Sequence, residues 1–312
     1  MNTIPLFYKE YIMNKKILIT GGTTSIGSAI VREYLNDGDE VTCICRANSW
    51  RIDNIPKEAC VIDCSLEKLG ELEINDSYDV FIHCAWANTD PVGRNTVNLQ
   101  YLNVGYTIDA VQLAARTGCK AFIGAGSQAE FGLSDKPFSV STPVNPISAY
   151  GIAKYAAERF AFNLCEQFNI KFNWLRILSV YGINEGPKTL IRYLIDEFKE
   201  GKSPEVTKCE QMWDYIYCDD CARAFKAVVE KAPHGKVYPL GGGIPKPLKA
   251  YVKAVQKVVS PDIPVFFGKR DYYPNQPMYM VADISELKEE TGWEPQVSFE
   301  EGIKLMLYSL KK

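Results

Sequence analysis

Histidine is nearly absent from this 312-residue chain, with only His83 and His234 present. No G-x-S-x-G stretch occurs either, so a serine hydrolase has neither its nucleophile elbow nor a well-placed base. No apolar run approaches the roughly 18 residues that a membrane-spanning helix needs. The opening M-N-T-I-P-L-F-Y-K-E-Y-I lacks the basic-then-apolar order of a secretory signal. Runs of Lys or Arg are missing and the net charge is −3, which gives a nucleic-acid partner no support. The ten cysteines have no disulfide rhythm, so reduced and mostly buried thiols are expected. Cys43, Cys45, Cys60 and Cys64 read as strand-face packing rather than a metal site. Cys218-Asp219-Asp220-Cys221 has redox spacing without a basic neighbourhood and reads as structural. Together these absences point to a cytoplasmic protein with no metal and no membrane partner.

The composition is that of an ordinary globular chain, 46% hydrophobic and 23% charged, long enough for one large domain or a domain plus a lobe. Short apolar runs alternate with helical patterns, which predicts βαβ units and a parallel sheet. Strands are expected at Ile17–Thr20, Glu40–Cys45, Cys60–Asp63, Asp79–Cys84, Lys120–Gly124 and Phe172–Ile177. Helices are expected from about Ser25 to Leu35, from Asn95 to Thr117, and onward from Tyr150. Beyond Tyr181-Gly182 prolines and aromatics increase and the periodicity weakens. The reading is an α/β chain: a doubly wound parallel Rossmann sheet over 14–182 and a smaller mixed α/β C-terminal substrate lobe over 183–312. V-Y-P-L-G-G-G from Val237 looks like a further strand, so about 214–240 should return to the sheet. Residues 1–13 read as a leader, either an upstream start ahead of Met13 or an extension.

I-L-I-T-G-G-T-T-S-I-G-S-A-I-V runs from a buried strand through a glycine turn into a helix. Gly21 and Gly22 permit the tight turn, Gly27 lets the helix pack on the strand, and the helix N-terminus offers free N–H groups to a pyrophosphate. Ser28-Ala29 follow Gly27, so the lysine of a kinase-type P-loop is absent and the dinucleotide reading stands. Thr24 occupies a position where a third glycine would give G-x-x-G-x-x-G; its side chain either narrows the approach to phosphate or donates a hydroxyl. The second strand ends in C-R-A-N-S-W-R. Arg46 at that tip, with Asn48, Ser49 and Arg51 behind it, suits the extra phosphate of NADP(H) better than the ribose hydroxyls of NAD(H). NAD(H) remains possible. Asp63 is a candidate partner for the adenine amino group.

Tyr-x-x-x-K occurs three times, at Tyr11/Lys15, Tyr150/Lys154 and Tyr308/Lys312. Only Tyr150 and Lys154 start a helix behind a dinucleotide turn, one turn apart on one face. A free phenol has a pKa of about 10, and a neighbouring ammonium favours its anion and tunes it for proton transfer. Ser127, at the tip of the fifth strand in G-A-G-S-Q-A-E-F-G, would offer its hydroxyl to the same substrate oxygen.

At this point the chain resembles the extended short-chain dehydrogenase/reductase family, in its nucleotide-sugar epimerase, dehydratase and ketoreductase branch. The resemblance covers nearly everything after Met13. It is carried by T-G-G-T-T-S-I-G at Thr20, I-H-C-A at Ile82, L-N-V-G at Leu102, G-S-Q-A-E-F-G at Gly126, and Tyr150/Lys154. L-R-I-L-S-V-Y-G at Leu175, D-Y-I-Y-C-D-D at Asp214 and T-G-W-E-P at Thr291 extend it. It implies Ser127, Tyr150 and Lys154 as the catalytic triad, Asn103 as a structural residue near them, and a homodimer through a four-helix bundle. Members that eliminate water across C5 and C6 carry an Asp-Glu pair after the catalytic hydroxyl. Gln128 and Ala129 stand here instead, so 4,6-dehydration is disfavoured. Trp213 replaces a phosphate-binding arginine common before D-Y-I-Y, leaving Arg192 or Arg270 to meet a substrate diphosphate. Trp86, Tyr272 and Tyr273 are possible base or sugar platforms.

The expected cofactor contacts are Gly21, Gly22, Thr24, Ser25, Ile26, Gly27, Arg46, Asn48, Ser49, Asp63, Cys64, Ala85, Tyr150 and Lys154. The expected substrate contacts are Trp86, Ser127, Gln128, Ser179, Arg192, Trp213 and Arg270. The leading expectation is NADPH-dependent reduction of the 4-keto group of a nucleotide-linked 4-keto-6-deoxyhexose. Its rivals are an NAD-dependent nucleotide-sugar 4-epimerase, a reductase of a small non-sugar ketone, and a catalytically silent dinucleotide sensor.

Overall fold

The computed structural model describes residues 14–310, so the expected leader over 1–13 lies outside the described residues. K-I-L-I-T forms strand β1 (Lys16–Thr20), and the glycine turn passes into helix α1 (Ser25–Asn36). There follow β2 (Glu40–Cys45), β3 (Cys60–Asp63), β4 (Val80–His83), α2 (Val97–Arg116), β5 (Ala121–Ser127), α3 (Ala149–Phe168) and β6 (Lys171–Ile177). Next come β7 (Ser179–Tyr181), α4 (Leu190–Lys199), β8 (Glu205–Val206), β9 (Met212–Trp213), β10 (Tyr215–Tyr217) and α5 (Cys218–Lys231). The chain then rejoins the main sheet as β11 (Lys236–Leu240), which pairs parallel with β6. It finishes with β12 (Lys246–Pro247), α6 (Leu248–Val259), β13 (Phe266–Phe267), β14 (Tyr279–Met280), α7 (Ser285–Thr291) and α8 (Phe299–Ser309).

Seven parallel strands lie in the order β11-β6-β5-β4-β1-β2-β3. This is the doubly wound Rossmann arrangement that the alternating pattern predicts. Both faces are covered, which is why these strands read as continuous apolar runs rather than alternating ones. Ile17 and Ile19 point to one face, among Ile30 and Val31 of α1 and Phe225 and Val228 of α5. Leu18 and Phe81 point to the other, among Val111 and Leu113 of α2 and Ala157 and Ala161 of α3. Each of the fully buried Ile, Leu, Val and Phe side chains among them contributes about 1.5–3 kcal/mol.

Strand β5 runs three residues past its expected end because of the glycines that follow. A side chain at Gly124 would sit 1.9 Å from the Trp174 ring and one at Gly126 2.2 Å from its indole nitrogen, so glycine lets Trp174 lie flat on the strand. The extension carries Ser127 out to the carboxyl edge of the sheet. After β3 the chain crosses to β4 on the other side of β1. That reversal leaves a crevice at the strand ends, the usual place for a ligand in this architecture.

The short strands β7 to β10 and β12 to β14 pair outside the main sheet, as β10-β7, β12-β9-β14 and β13-β8. Asp214, at the head of D-Y-I-Y, accepts the Gly243 and Ala282 N–H groups at 3.0 and 3.2 Å. Asp220 receives Gln296 and Val297, and Trp293 of T-G-W-E-P donates to the Asp220 carbonyl at 3.1 Å. Two motifs far apart in sequence therefore meet as staples holding α5 against the segment leading into α8.

Candidate active site

The glycine turn is built for close approach. Gly21 has a φ of 80°, and a side chain there would lie 2.6 Å from the Ala85 nitrogen; one at Gly27 would lie 2.1 Å from the Gly21 carbonyl oxygen. Thr24 caps α1: its hydroxyl accepts from the Gly27 N–H at 3.0 Å and donates to the Gly21 carbonyl at 2.9 Å. Its hydroxyl proton therefore serves the turn itself, which accounts for the side chain where glycine would complete the repeat.

Beside the turn opens a cavity of about 400 Å³, lined by Gly21, Thr24, Arg46, Ser49, Cys64, Ala85 and Trp86, with Thr20, Thr23, Glu67 and Asn88 among its other walls. Glycine at the turn, a helix N-terminus and the Arg46 guanidinium in the lining fit a nicotinamide dinucleotide. The remaining expected contacts are not among these lining residues. Gly22 faces Cys43, since a side chain would meet that sulfur at 2.8 Å. Ser25 donates to the Ile183 carbonyl at 2.6 Å, and Ile26 packs on the core. Asn48 sits in the turn after Arg46. Asp63 accepts the Ala47 N–H at 2.8 Å, so its carboxylate shapes the loop that carries Arg46. Glu67 was not anticipated. Hydrogen bonds from its own backbone and from Ser65 hold its carboxyl below the usual range, with Arg46 assisting.

Ser127, Tyr150 and Lys154 converge where β5 ends and α3 begins. Ser127 starts a 3-10 turn, Gln128–Glu130, with its hydroxyl on the Ala129 N–H at 3.2 Å and also bonded to the Gln128 amide oxygen. Its own N–H donates to Glu130 at 2.7 Å. Glu130 is completely buried and shares Arg176 with Glu158, the guanidinium nitrogens lying 2.8 and 2.7 Å from the two carboxylates. Burial pushes the Glu130 carboxyl up. This ion cluster stands directly behind Ser127 and fixes the turn that presents it.

Ser148 caps α3 by accepting the Gly151 N–H at 3.1 Å, which sets Tyr150 in the first turn. The Tyr150 ring meets Trp86 edge-on, centroids 5.9 Å apart, and carries the Arg94 guanidinium 4.6 Å from its own centroid. Burial pushes the phenol above its ordinary range, while Arg94 and the Ser127 hydroxyl pull it down. Lys154 donates to the Ala125 carbonyl at 2.6 Å and lies 3.7 Å from the centre of the Trp86 ring; burial lowers its pKa. Trp86 is itself held by Gln100, and Asn103 bonds both backbone polar groups of Ala87. Asn103 thus anchors the loop on which Trp86 rides.

Of the expected substrate contacts, Trp86, Ser127 and Gln128 gather at Tyr150. Ser179 opens β7, and Trp213 packs beside Phe131 and Phe138 with its indole nitrogen buried and unbonded. Arg192 and Arg270 are engaged elsewhere: Arg192 with Asp196 at 2.8 Å, and Arg270 with the Tyr193 hydroxyl at 3.1 Å. Tyr272 accepts the Glu210 N–H, and Tyr273 is exposed. His83 is a core residue between Thr20 and Thr107, and burial drives its pKa down to about 3. All ten cysteines are free, Cys218 and Cys221 fully buried. Among the described residues no group of three or more His, Cys, Asp or Glu is placed to hold a metal ion, and no helix is long and apolar enough to cross a membrane. Sequence reasoning missed Arg94, which lies in no motif and no periodic segment. It also quoted Glu130 and Arg176 within their motifs without giving either a role.

The model of the NAD dependent epimerase/dehydratase family matches residues 17–241. The chain belongs to that family. Its members work with a nicotinamide dinucleotide on nucleotide sugars, as epimerases, dehydratases and reductases. Among family relatives, the dTDP-4-dehydro-6-deoxyglucose reductase of Escherichia coli is 23% identical, with 95% of this chain and 97% of the relative covered. The CDP-abequose synthase of Salmonella typhimurium is 26% identical over 97% of this chain and 99% of its own. In structure the fold is similar to UDP-glucose 4-epimerase of Thermotoga maritima, solved with UDP-glucose: TM-score 0.86, 24% identity, 95% and 98% coverage.

Proposed function

We propose that this oxidoreductase reduces the 4-keto group of a nucleotide-linked 4-keto-6-deoxyhexose with NADPH. The observation that carries the reading is Gln128. A neutral amide, hydrogen-bonded to Ser127, stands where elimination of water would need an acid, so the cleft is equipped for carbonyl chemistry without the acid–base pair of a dehydratase. Ser127 holds the ketone oxygen and Tyr150 protonates it as the alkoxide forms. Lys154 positions the dinucleotide and supports the phenol's environment. When bound, the reduced nicotinamide supplies a hydride to C4.

Arg46 and Ser49 on the cavity wall support NADP(H), as guanidinium binds phosphate strongly. Glu67 in the same wall favours the second reading, an NAD-dependent nucleotide-sugar 4-epimerase, because a carboxylate suits ribose hydroxyls. A panel of 4-keto sugar nucleotides assayed for NADPH oxidation separates the two. Net oxidation supports the reductase. Interconversion of 4-epimers with no net oxidation, on NAD retained through purification, overturns it.

The proposal also includes a cytoplasmic location, which free thiols suit, and a homodimer through α2 and α3. Val97, Tyr101 and Leu102 on α2 and Ile152 and Phe160 on α3 are exposed apolar side chains that such a four-helix bundle would cover.

A further inference from the structure

Arg94 is held in place by the loop beneath it. Asp90 accepts the Val92 and Gly93 N–H groups, each at 3.1 Å, and the Arg94 N–H donates to the Asp90 carbonyl at 2.9 Å. Gln100 binds the Asn88 and Gly93 carbonyls at 2.8 and 3.0 Å. A side chain at Gly93 would lie 2.7 Å from the Asn88 oxygen, so the turn closes only with glycine there. From this platform the Arg94 side chain lies over the Tyr150 ring at 4.6 Å. Asp90, the acid nearest to Arg94 in sequence, spends its carboxylate on the backbone, with Lys188 in range of its charge.

Lys154 is placed differently. Its ammonium is committed to the Ala125 carbonyl and the face of Trp86. An arginine stays charged at every working pH, whereas a buried lysine does not. The groups that act on the phenol are Arg94 from the loop after β4, the Ser127 hydroxyl from the end of β5 and Glu130 from the turn that follows it.

We propose that Arg94 is a positioning residue for proton transfer, its guanidinium lying on the Tyr150 ring to favour the phenolate. The proposal rests on Tyr150 being the proton-transfer group. In the reducing direction the Tyr150 O–H bond breaks as a new O–H bond forms on the carbonyl oxygen. The carbonyl carbon would take the hydride that a bound reduced nicotinamide supplies, and the phenolate recovers a proton from water. A cation on the ring lowers the free energy of the anion left behind more than that of the neutral phenol.

The test compares kcat/KM against pH for wild type, Arg94→Met and Arg94→Lys. Loss of the cation destabilises the phenolate, so the limb that reports the phenol moves to higher pH by about one unit, while Arg94→Lys keeps most of the wild-type position. Ultraviolet titrations of wild type minus Tyr150→Phe, and of Arg94→Met minus Arg94→Met/Tyr150→Phe, isolate this phenol and should show the same displacement. An unmoved limb with only a raised KM would mean that Arg94 grips an anionic part of the substrate, and the proposal fails. Full activity in Tyr150→Phe would instead defeat the assignment of Tyr150, and the ultraviolet titrations would still report whether Arg94 acts on the ring.

Discussion

Arg176→Met should destabilise the protein far more at alkaline pH than at acid pH. The guanidinium lies 2.8 Å from Glu130 and 2.7 Å from Glu158, and the side chains of Arg176, Glu130 and Glu158 are 7, 0 and 2% exposed. Methionine fills most of the volume and leaves two buried carboxylates facing one another. Stranding buried charge this way costs about 3–5 kcal/mol. Protonation relieves that cost. Burial already holds Glu130 above the ordinary carboxylate range with Arg176 present, and loss of the cation raises it further. Above the unfolded value of about 4.3 the Glu130 carboxyl of the native variant then keeps a proton that the unfolded chain has lost. Its stability therefore falls as pH rises, by at most about 1.4 kcal/mol per pH unit. Urea unfolding at about pH 5.5 and about pH 8 measures this. The deficit should be larger at the higher pH. Adding Glu130→Gln and Glu158→Gln should abolish the pH dependence. An equal deficit at both pH values, or none at either, would refute the reasoning.

Arg46→Ala should raise the KM for NADPH about tenfold, the loss of one charged hydrogen bond, and leave NADH turnover unchanged; steady-state kinetics with both cofactors decides. Gly27→Ala must push α1 from the glycine turn, since its methyl would start 2.1 Å from the Gly21 oxygen; calorimetric titration should show weaker dinucleotide binding and unfolding a loss of about 1–3 kcal/mol. Glu185 has one carboxylate oxygen buried without a partner, and burial pushes its pKa up to about 7. The native state keeps that proton after the unfolded chain has lost it, so wild-type stability falls as pH rises from about 4.3 to 7. Glu185→Gln should remove that slope and gain up to about 3 kcal/mol at pH 8 by denaturant titration.

The sheet was legible because its central strands are short apolar runs buried on both faces, and because glycines mark the turn after β1. The return of β11 to the sheet was readable in V-Y-P-L-G-G-G for the same reason. The short strands from β7 onward were not read individually, since two- or three-residue strands such as β8 and β9 carry no period and are defined by partners far away in sequence. At the site, spacing singles out Tyr150 and strand position singles out Ser127. Burial decides what spacing cannot. Lys154 is one helical turn from Tyr150, yet its ammonium is committed to Ala125 and Trp86. Arg94 reaches the phenol from a loop with no pattern of its own. Arg192 and Arg270 were chosen for their charge alone, and only the fold reveals that Asp196 and Tyr193 occupy them.

The central claim is that the Tyr150 hydroxyl delivers the proton to the ketone oxygen during NADPH-dependent reduction. The most direct measurement is kcat for Tyr150→Phe on a nucleotide-linked 4-keto-6-deoxyhexose, with dinucleotide affinity measured in parallel. The account predicts a fall of at least about 100-fold, the contribution of a general acid, with affinity for NADPH retained. Turnover close to that of the wild type would contradict it.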